Sequence, residues 1–270
     1  MDTAIQFDMA SATDVGRVRA HNEDSIAANP DIGLATLADG MGGYNAGEVA
    51  SGIAVAMVPT EIRKLAAAQS LHAMSDEAVK NLVSEQASKV NAAIYNAAQS
   101  QSQYAGMGTT LVIAYWHGNK VTVGHLGDSR CYQLRGDAIR PLTRDHSWIQ
   151  EQIDAGLLTY EQARASKKKN LVTRACGIDP NVVPEVHVHD VEPGDIYILC
   201  SDGLYDMVPD EDIHLTVSSL KSNLPLAAQQ LIQQANDNGG RDNISVILVH
   251  VLELTQTPVG FFAKLKNWFK

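Results

Sequence analysis

The chain alternates short apolar runs with glycine-dense turns, and four of those runs abut an acid. Leu34–Ala38 leads into Asp39-Gly40-Met41-Gly42-Gly43, Val121–Leu126 into Gly127-Asp128, and Ile196–Cys200 into Ser201-Asp202-Gly203. Further along, Gly239-Gly240-Arg241-Asp242-Asn243 precedes Ile244–Val249. Apolar runs of this length bounded by turn residues predict buried strands, so each carboxylate is held at the tip of a rigid element. The adjacent glycines let the backbone bend and bring carbonyl oxygens close. Taken singly, each is equally well explained as a strand-to-turn corner capped by Asp. Taken together they predict one cluster gathered by a sheet. Four carboxylates so gathered raise one another's pKa unless cations lie between them, and hard divalent cations take carboxylate, carbonyl and water oxygens.

The remaining pattern supplies the frame. Gly106–Trp116 predicts a strand, turned by His117-Gly118-Asn119-Lys120 into the Val121 strand as a hairpin, and Cys131–Leu134 runs on to a turn at Arg135-Gly136-Asp137. Residues 45–68 predict a helix broken at Pro59. Ala78, Leu82, Val90, Ala93, Ile94 and Ala97 recur at helical spacing over 76–101, with Ser75-Asp76-Glu77 as the helix start. Met57 and Met74 suit core filling. Pro209-Asp210-Glu211-Asp212-Ile213 opens a further helix. Another spans 225–236, with Leu226, Leu231 and Ile232 on its apolar face and Gly239-Gly240 ending it. Helices and strands fall in separate blocks, which predicts an α+β fold with antiparallel sheet.

Residues 143–179 interrupt the strand pattern. A short helix through Ile149 and Ile153, a turn at Gly156 and a second short helix over 160–165 lead to Ser166-Lys167-Lys168-Lys169-Asn170. A polar, partly helical insertion of this kind predicts a flap over a site. Lys167, Lys168 and Lys169 are either a solvated face or a draw for an anionic substrate.

Composition narrows the classes. At 270 residues the chain can bury a sizeable core as one domain, expected over 1–254 with a tail at 255–270. Lys plus Arg total 21 against 31 Asp plus Glu, a net charge of −10, which makes nucleic acid a poor partner. Cys131, Cys176 and Cys200 are widely spaced and form no C-x-x-C pair, which suits a reducing, cytoplasmic setting rather than a thiolate metal site. The acidic start lacks the basic-then-apolar order of a signal peptide. Residues 258–270 differ in character. Phe261, Phe262, Leu265, Trp268 and Phe269 lie among Lys264, Lys266 and Lys270. As a helix this tail is basic and amphipathic, suited to the inner face of a membrane or a partner groove, unless it packs on its own domain.

Residues 13–24 complete the candidate chemistry. Arg19 is either part of a charged surface loop or a bidentate fork for a phosphate oxyanion, with Glu23 and Asp24 orienting metal waters. At this point eight ordered segments, TDVGRVRAHNED, LADGMGGYNAGEVAS, GMGTTLV, GHLGDSRCYQL, LTRDHS, NLVTRACG, LCSDGLYDMV and GGRDNISVILV, lie along nearly all of Thr13 to Val251. They resemble the bacterial metal-dependent Ser/Thr protein phosphatases of the 2C type. The resemblance implies two stacked antiparallel sheets flanked by helix pairs, an α-β-β-α sandwich carrying a flap insertion. It implies hydrolysis of phosphoserine and phosphothreonine in proteins by a metal-activated water, reversing a bacterial Ser/Thr kinase. Asp39 would bridge two Mn²⁺ or Mg²⁺ ions, Gly40 would offer a carbonyl to one, and Asp202 and Asp242 would complete the other. Glu23 and Asp24 would hold the metal waters and Arg19 the phosphate. Asp128, with Asp202 and Asp206, resembles a weaker third metal site. The chain departs from the pattern at Met41, where some eukaryotic members have histidine. It departs again at Tyr44, a frequent histidine in bacterial members, and at Ser166-Lys167, where these have His-Pro. The proton donor to the leaving group is therefore not identified. A monomer is expected. The other classes consistent with these residues are a catalytically silent phosphoprotein-binding module and a metal-dependent nuclease or phosphodiesterase, the latter at odds with the acidic surface.

Overall fold

The computed structural model describes residues 2–43, 46–68, 74–159, 162 and 171–257. Two antiparallel sheets stack face to face. One has the order β1 (Asp2–Asp14), β11 (Ile244–Thr257), β10 (Ile196–Cys200), β7 (Arg130–Arg135), β8 (Ala138–Pro141). The other has the order β2 (Asp24–Asn29), β3 (Leu34–Met41), β5 (Leu111–His117), β6 (Lys120–Leu126), β9 (Glu185–Asp190), with the short β4 (Gly108–Thr109) paired to the end of β3. β11 runs to Thr257, three residues beyond the boundary expected at 254.

The inner strands read as continuous apolar runs because both of their faces are covered. Ala35, Leu37, Val112 and Ala114 point between the sheets, where they meet Tyr197, Leu199, Ile247 and Val249. Leu34, Ala38 and Ile113 point outward into the layer of α1 (Ala46–Ala68) and α2 (Asp76–Ser100). Across the molecule Ile198, Val246 and Leu248 face α5 (Asp210–Ser219) and α6 (Leu224–Asp237). The result is the expected α-β-β-α order. The short α3 (Trp148–Asp154) starts the flap, and α4 (Asp202–Tyr205) follows β10 directly.

Three local expectations are corrected. Helix α1 is not broken at Pro59 but runs through it. Ala50, Ala54, Val58 and Ile62 form a fully buried stripe at i, i+4 spacing, and keeping that stripe on the sheet outweighs the one hydrogen bond that proline deletes. The run 106–116 is two strands, β4 and β5, parted at Thr110, whose backbone N–H and hydroxyl both bond Asp39. On α6, Leu226 is 44% exposed. The buried face uses Leu224, Ala227, Ala228, Leu231 and Ala235 instead, and Asn223 caps the helix through the Leu226 N–H. The expected start of α2 holds, with Ser75 Oγ accepting from Ala78 N–H at 3.3 Å. All of the second flap helix expected over 160–165 except residue 162 lies outside the described residues, as do Tyr44, Lys167, Lys168, Lys169 and the tail segment from 258.

The chain changes sheets at Gly127-Asp128-Ser129, between β6 and β7. Gly127 takes φ 99°, and a Cβ there would lie 2.6 Å from Thr110 Cγ2. A second close approach sits at Gly203, where a Cβ would collide with the Asn243 carbonyl oxygen. Since the obstacle is backbone joining two strand ends, Gly203→Ala is expected to destabilise the protein by roughly 1–3 kcal/mol. Urea unfolding of the purified variant measures this, and an unchanged midpoint would contradict it.

Candidate active site

β2 and β3 place Asp24 and Asp39 directly opposite each other as register partners. The Asp39 backbone is pinned from the neighbouring strand: its N–H donates to Thr110 Oγ1 at 2.9 Å, and its carbonyl accepts from Thr110 N–H and Thr109 Oγ1, both at 2.9 Å. Gly40 N–H donates to the Glu23 carbonyl at 3.1 Å. A Cβ on Gly40 would run into the Gly47 and Glu23 carbonyls, so only glycine fits between β3, α1 and the Glu23 loop.

The other sheet brings in its acids from strand ends. Asp202 opens α4 at the tip of β10, and Ser201 Oγ donates to Asp24 Oδ2 at 2.8 Å, tying the two sheets together beside the cluster. Asp242 precedes β11. Its Oδ1 accepts from Asn243 N–H at 2.9 Å, and its Oδ2 pairs with Arg19 Nη2 at 2.6 Å. Asp128 sits at the crossing between sheets.

Asn243 is the residue that sequence reasoning missed. Its Oδ1 accepts from Glu23 N–H at 2.8 Å, while its Nδ2 donates to the Val15 and His21 carbonyls at 3.0 and 2.9 Å. One buried amide thus fixes the loop carrying Arg19 and Glu23 to the strand carrying Asp242. The available signal was an Asn beside a site acid, flanked by a strand with no polar work for it.

Electrostatics show what the arrangement demands. Burial, followed by the charges of Asp24, Asp202, Asp128 and Asp242, pushes the Asp39 carboxyl well above its usual range. Burial, then Asp128, Asp242, Asp206 and Asp24, does the same to Asp202. Burial raises Asp24 to about 6 against its hydrogen bonds from Ser245 and Ser201, and it raises Asp128, with Asp145 and Asp206, to about 7. Glu23 is raised by burial despite Arg19. Partial burial works against the charge on Arg19, yet Asp242, Asp202 and Asp39 outweigh it and hold its pKa above the ordinary value. One guanidinium does not balance this set.

The sequence-predicted acids Asp24, Asp39, Asp128, Asp202 and Asp242 therefore share one electrostatic site, with Arg19 beside it and Asp206 close enough to act on Asp128 and Asp202. The donor set fits hard divalent cations: the groups are carboxylates, with buried Asp24 Oδ1 left without any hydrogen-bond partner. Removing that mutual repulsion is what bound cations do. The three cysteines are buried, and burial raises their thiols, Cys176 to about 12, which makes them inert beside this chemistry.

Comparison with known proteins places this geometry. A family model described as Protein phosphatase 2C matches residues 16–244. The serine/threonine phosphatase stp of Listeria innocua is 37% identical over 240 residues, 88% of this chain and 93% of that protein. Among solved structures, the Mycobacterium tuberculosis serine/threonine phosphatase PstP/Ppp superposes with a TM-score of 0.82 at 34% identity, covering 92% of this chain and 99% of that one. The catalytic domain of PstP in complex with two manganese ions gives a TM-score of 0.81 at 33% identity, over 93% and 100% of the two chains. With eight ordered segments, the sandwich order and the acid cluster all in agreement, this chain belongs to the protein phosphatase 2C family.

Proposed function

We propose that this protein hydrolyses phosphoserine and phosphothreonine in proteins with two Mn²⁺ or Mg²⁺ ions, reversing the action of a bacterial Ser/Thr kinase. The single observation that carries the reading is the set of buried, mutually repelling aspartates with one exposed-side arginine on their rim. Asp39 would hold both ions, the Gly40 carbonyl one of them, and Asp202 and Asp242 the other, with Glu23 and Asp24 orienting ordered water. Asp128, Asp202 and Asp206 would hold a weaker third ion. The ions supply Lewis acidity and a water of lowered pKa.

The chain's own residues do the rest. Arg19 reaches the cluster from a half-exposed loop, its side chain 51% exposed and its Nη2 already 2.6 Å from Asp242. A fork placed there binds the phosphoryl oxygens bidentately and offsets the charge that develops on them. Asp24, braced by Ser201, keeps its orientation towards Asp39. The ends of β2, β3, β10 and β11 fix the acids in place, which is where preorganisation comes from. Lysine at position 19 keeps the charge and loses the fork, so Arg19→Lys is expected to lower kcat/KM by about 10²-fold, with Mn²⁺ binding little changed. Initial rates on a phosphothreonine peptide check it; wild-type rates in that variant would remove Arg19 from the mechanism.

The test of the whole reading is Mn²⁺-dependent phosphate release from a phosphothreonine peptide. Tight peptide binding without turnover at any metal concentration would favour the silent binding module instead, and faster hydrolysis of a phosphodiester than of a monoester would favour the nuclease class. We further propose a phosphatase domain over 1–254 with Lys167, Lys168 and Lys169 of the flap drawing in anionic substrate. The proposed setting is cytoplasmic, supported by buried free thiols and acidic charge. Within the tail expected at 255–270, the residues that follow β11 would touch the inner membrane surface or a partner. No helix among the described residues is long and apolar enough to cross a membrane.

A further inference from the structure

Behind Asp128 lies a network that the catalytic reading does not use. The base of the flap, Asp145-His146, is fastened to Gly127-Asp128-Arg130 at four points. Arg130 Nε and Nη2 bond both oxygens of Asp145 at 2.9 and 2.7 Å. The Arg130 guanidinium lies 3.7 Å above the Tyr205 ring, and the Tyr205 hydroxyl donates to the Asp128 carbonyl at 3.0 Å. His146 N–H donates to the Gly127 carbonyl at 2.9 Å, and Gly127 N–H donates back to His146 Nδ1 at 3.2 Å. The peptide group before Asp128 is thus held by the His146 backbone N–H, the one after it by Tyr205, and the peptide preceding Gly127 by the His146 imidazole.

His146 itself is oriented from its far side. Accepting from Gly127 at Nδ1 puts its proton on Nε2, which faces Glu185 Oε2 at 3.4 Å, while His187 Nε2 holds Glu185 Oε1 at 2.7 Å. His125, His146 and Glu185 have the donors of a transition-metal site. The two rings instead stack nearly parallel, 16° apart with centroids 4.6 Å from each other. Metal bonds lie in the imidazole plane, so stacked rings do not converge on one ion. The cluster is a hydrogen-bonded strut. Burial and the neighbouring His125 push the His146 pKa down to about 4, which keeps the Nδ1 lone pair available to Gly127 at neutral pH.

We propose that His146 and Arg130 are positioning residues: the His146 imidazole fixes the peptide preceding Gly127 and Arg130 anchors Asp145 beside it, so that the turn stays set, the Asp128 carboxylate stays aimed into the acid cluster, and the flap base is coupled to occupancy of the weak metal site. This rests on the assignment of Asp128 to that site. The hydrogen-bond geometry makes the prediction specific to one nitrogen. Asn at position 146 can place its amide oxygen where Nδ1 accepts from Gly127; Gln places its amide at the Nε2 end and leaves Gly127 N–H without an acceptor.

Titration of the full chain with Mn²⁺, read by the electron paramagnetic resonance of free Mn²⁺, tests this without recourse to turnover. Outer residues that orient a ligand are worth about 10–100-fold in metal affinity, so His146→Gln is expected to weaken the weakest Mn²⁺ equivalent by about 10-fold or more, leaving the tight equivalents in place. His146→Asn is expected to retain it. Arg130→Lys, which keeps charge and loses the fork on Asp145, is expected to fall with His146→Gln. Equal behaviour of the Asn and Gln variants, whether both intact or both impaired, would overturn the clamp. Asp128→Asn is the reference. If it leaves the titration of the wild-type protein unchanged, the assignment of Asp128 fails. If it removes the weak equivalent while His146→Gln does not, only the clamp fails.

Discussion

Asp39→Asn is expected to reduce phosphate release from a phosphothreonine peptide by at least about 10³-fold at saturating Mn²⁺. The substitution changes no volume and leaves the backbone hydrogen bonds of Asp39 to Thr109 and Thr110 intact. What it removes is the central charge of the cluster, the one on which Asp24, Asp202, Asp128 and Asp242 all act. A neutral amide there both weakens cation binding and puts an N–H donor where an oxygen acceptor is required. The same variant relieves repulsion in the metal-free protein, so its stability in chelator is expected to equal or exceed that of wild type. Loss of activity with an unperturbed fold is the signature of the site. Retained activity would refute it.

The second large effect is on stability, and its sign follows from the raised carboxyls. Asp24 is held at about 6 and Asp128 at about 7 in the folded protein, with Asp39 and Asp202 higher than ordinary too. An unfolded Asp titrates near about 4. Between about pH 4 and 7 the folded chain therefore binds more protons than the unfolded chain, and metal-free stability falls as pH rises through that window. Bound Mn²⁺ reverses this by favouring the ionised carboxylates. At a free Mn²⁺ concentration about 1,000 times Kd, binding contributes about 4 kcal/mol. For a chain of this size that corresponds to a rise in Tm on the order of 10 °C. Thermal melts in chelator and in Mn²⁺ at pH 5 and pH 8 measure it. The metal-induced rise is expected to be larger at pH 8; a larger rise at pH 5 would contradict the shared acid cluster.

Much of this was legible because the strands around the site are buried on both faces and so stand out as apolar runs. β3, β6, β10 and the start of β11 were found that way, and their acids with them. β1 and β9 carry a weaker, alternating signal, and the short β2 carries none. Ile5, Phe7 and Met9 alternate along β1, and Val186 and Val188 along β9, as edge and half-covered strands do. At Pro59 the helix-breaking propensity of proline is outweighed by the buried stripe that holds α1 to its sheet. Leu226 lies one residue out of phase with the buried stripe of α6, next to Ala227, while Asn223 caps that end of the helix.

The sequence by itself determined which groups carry the chemistry: an Asp-Gly at the tip of one buried strand, further acids at the tips of others, and an arginine on a loop, in an order that identifies the family. The separate blocks of helix and strand also determined the α+β class with antiparallel sheet, while the layer order was what the family resemblance implied. Only the tertiary structure decided that consecutive strands β6 and β7 belong to different sheets, because a two- or three-residue glycine turn reads the same whether the chain folds back or crosses over. That crossing puts Asp128 within reach of Asp202. Asn243 and the Arg130–His146 clamp likewise emerged only in three dimensions, since their hydrogen bonds join residues whose separation along the chain carries no periodic signal.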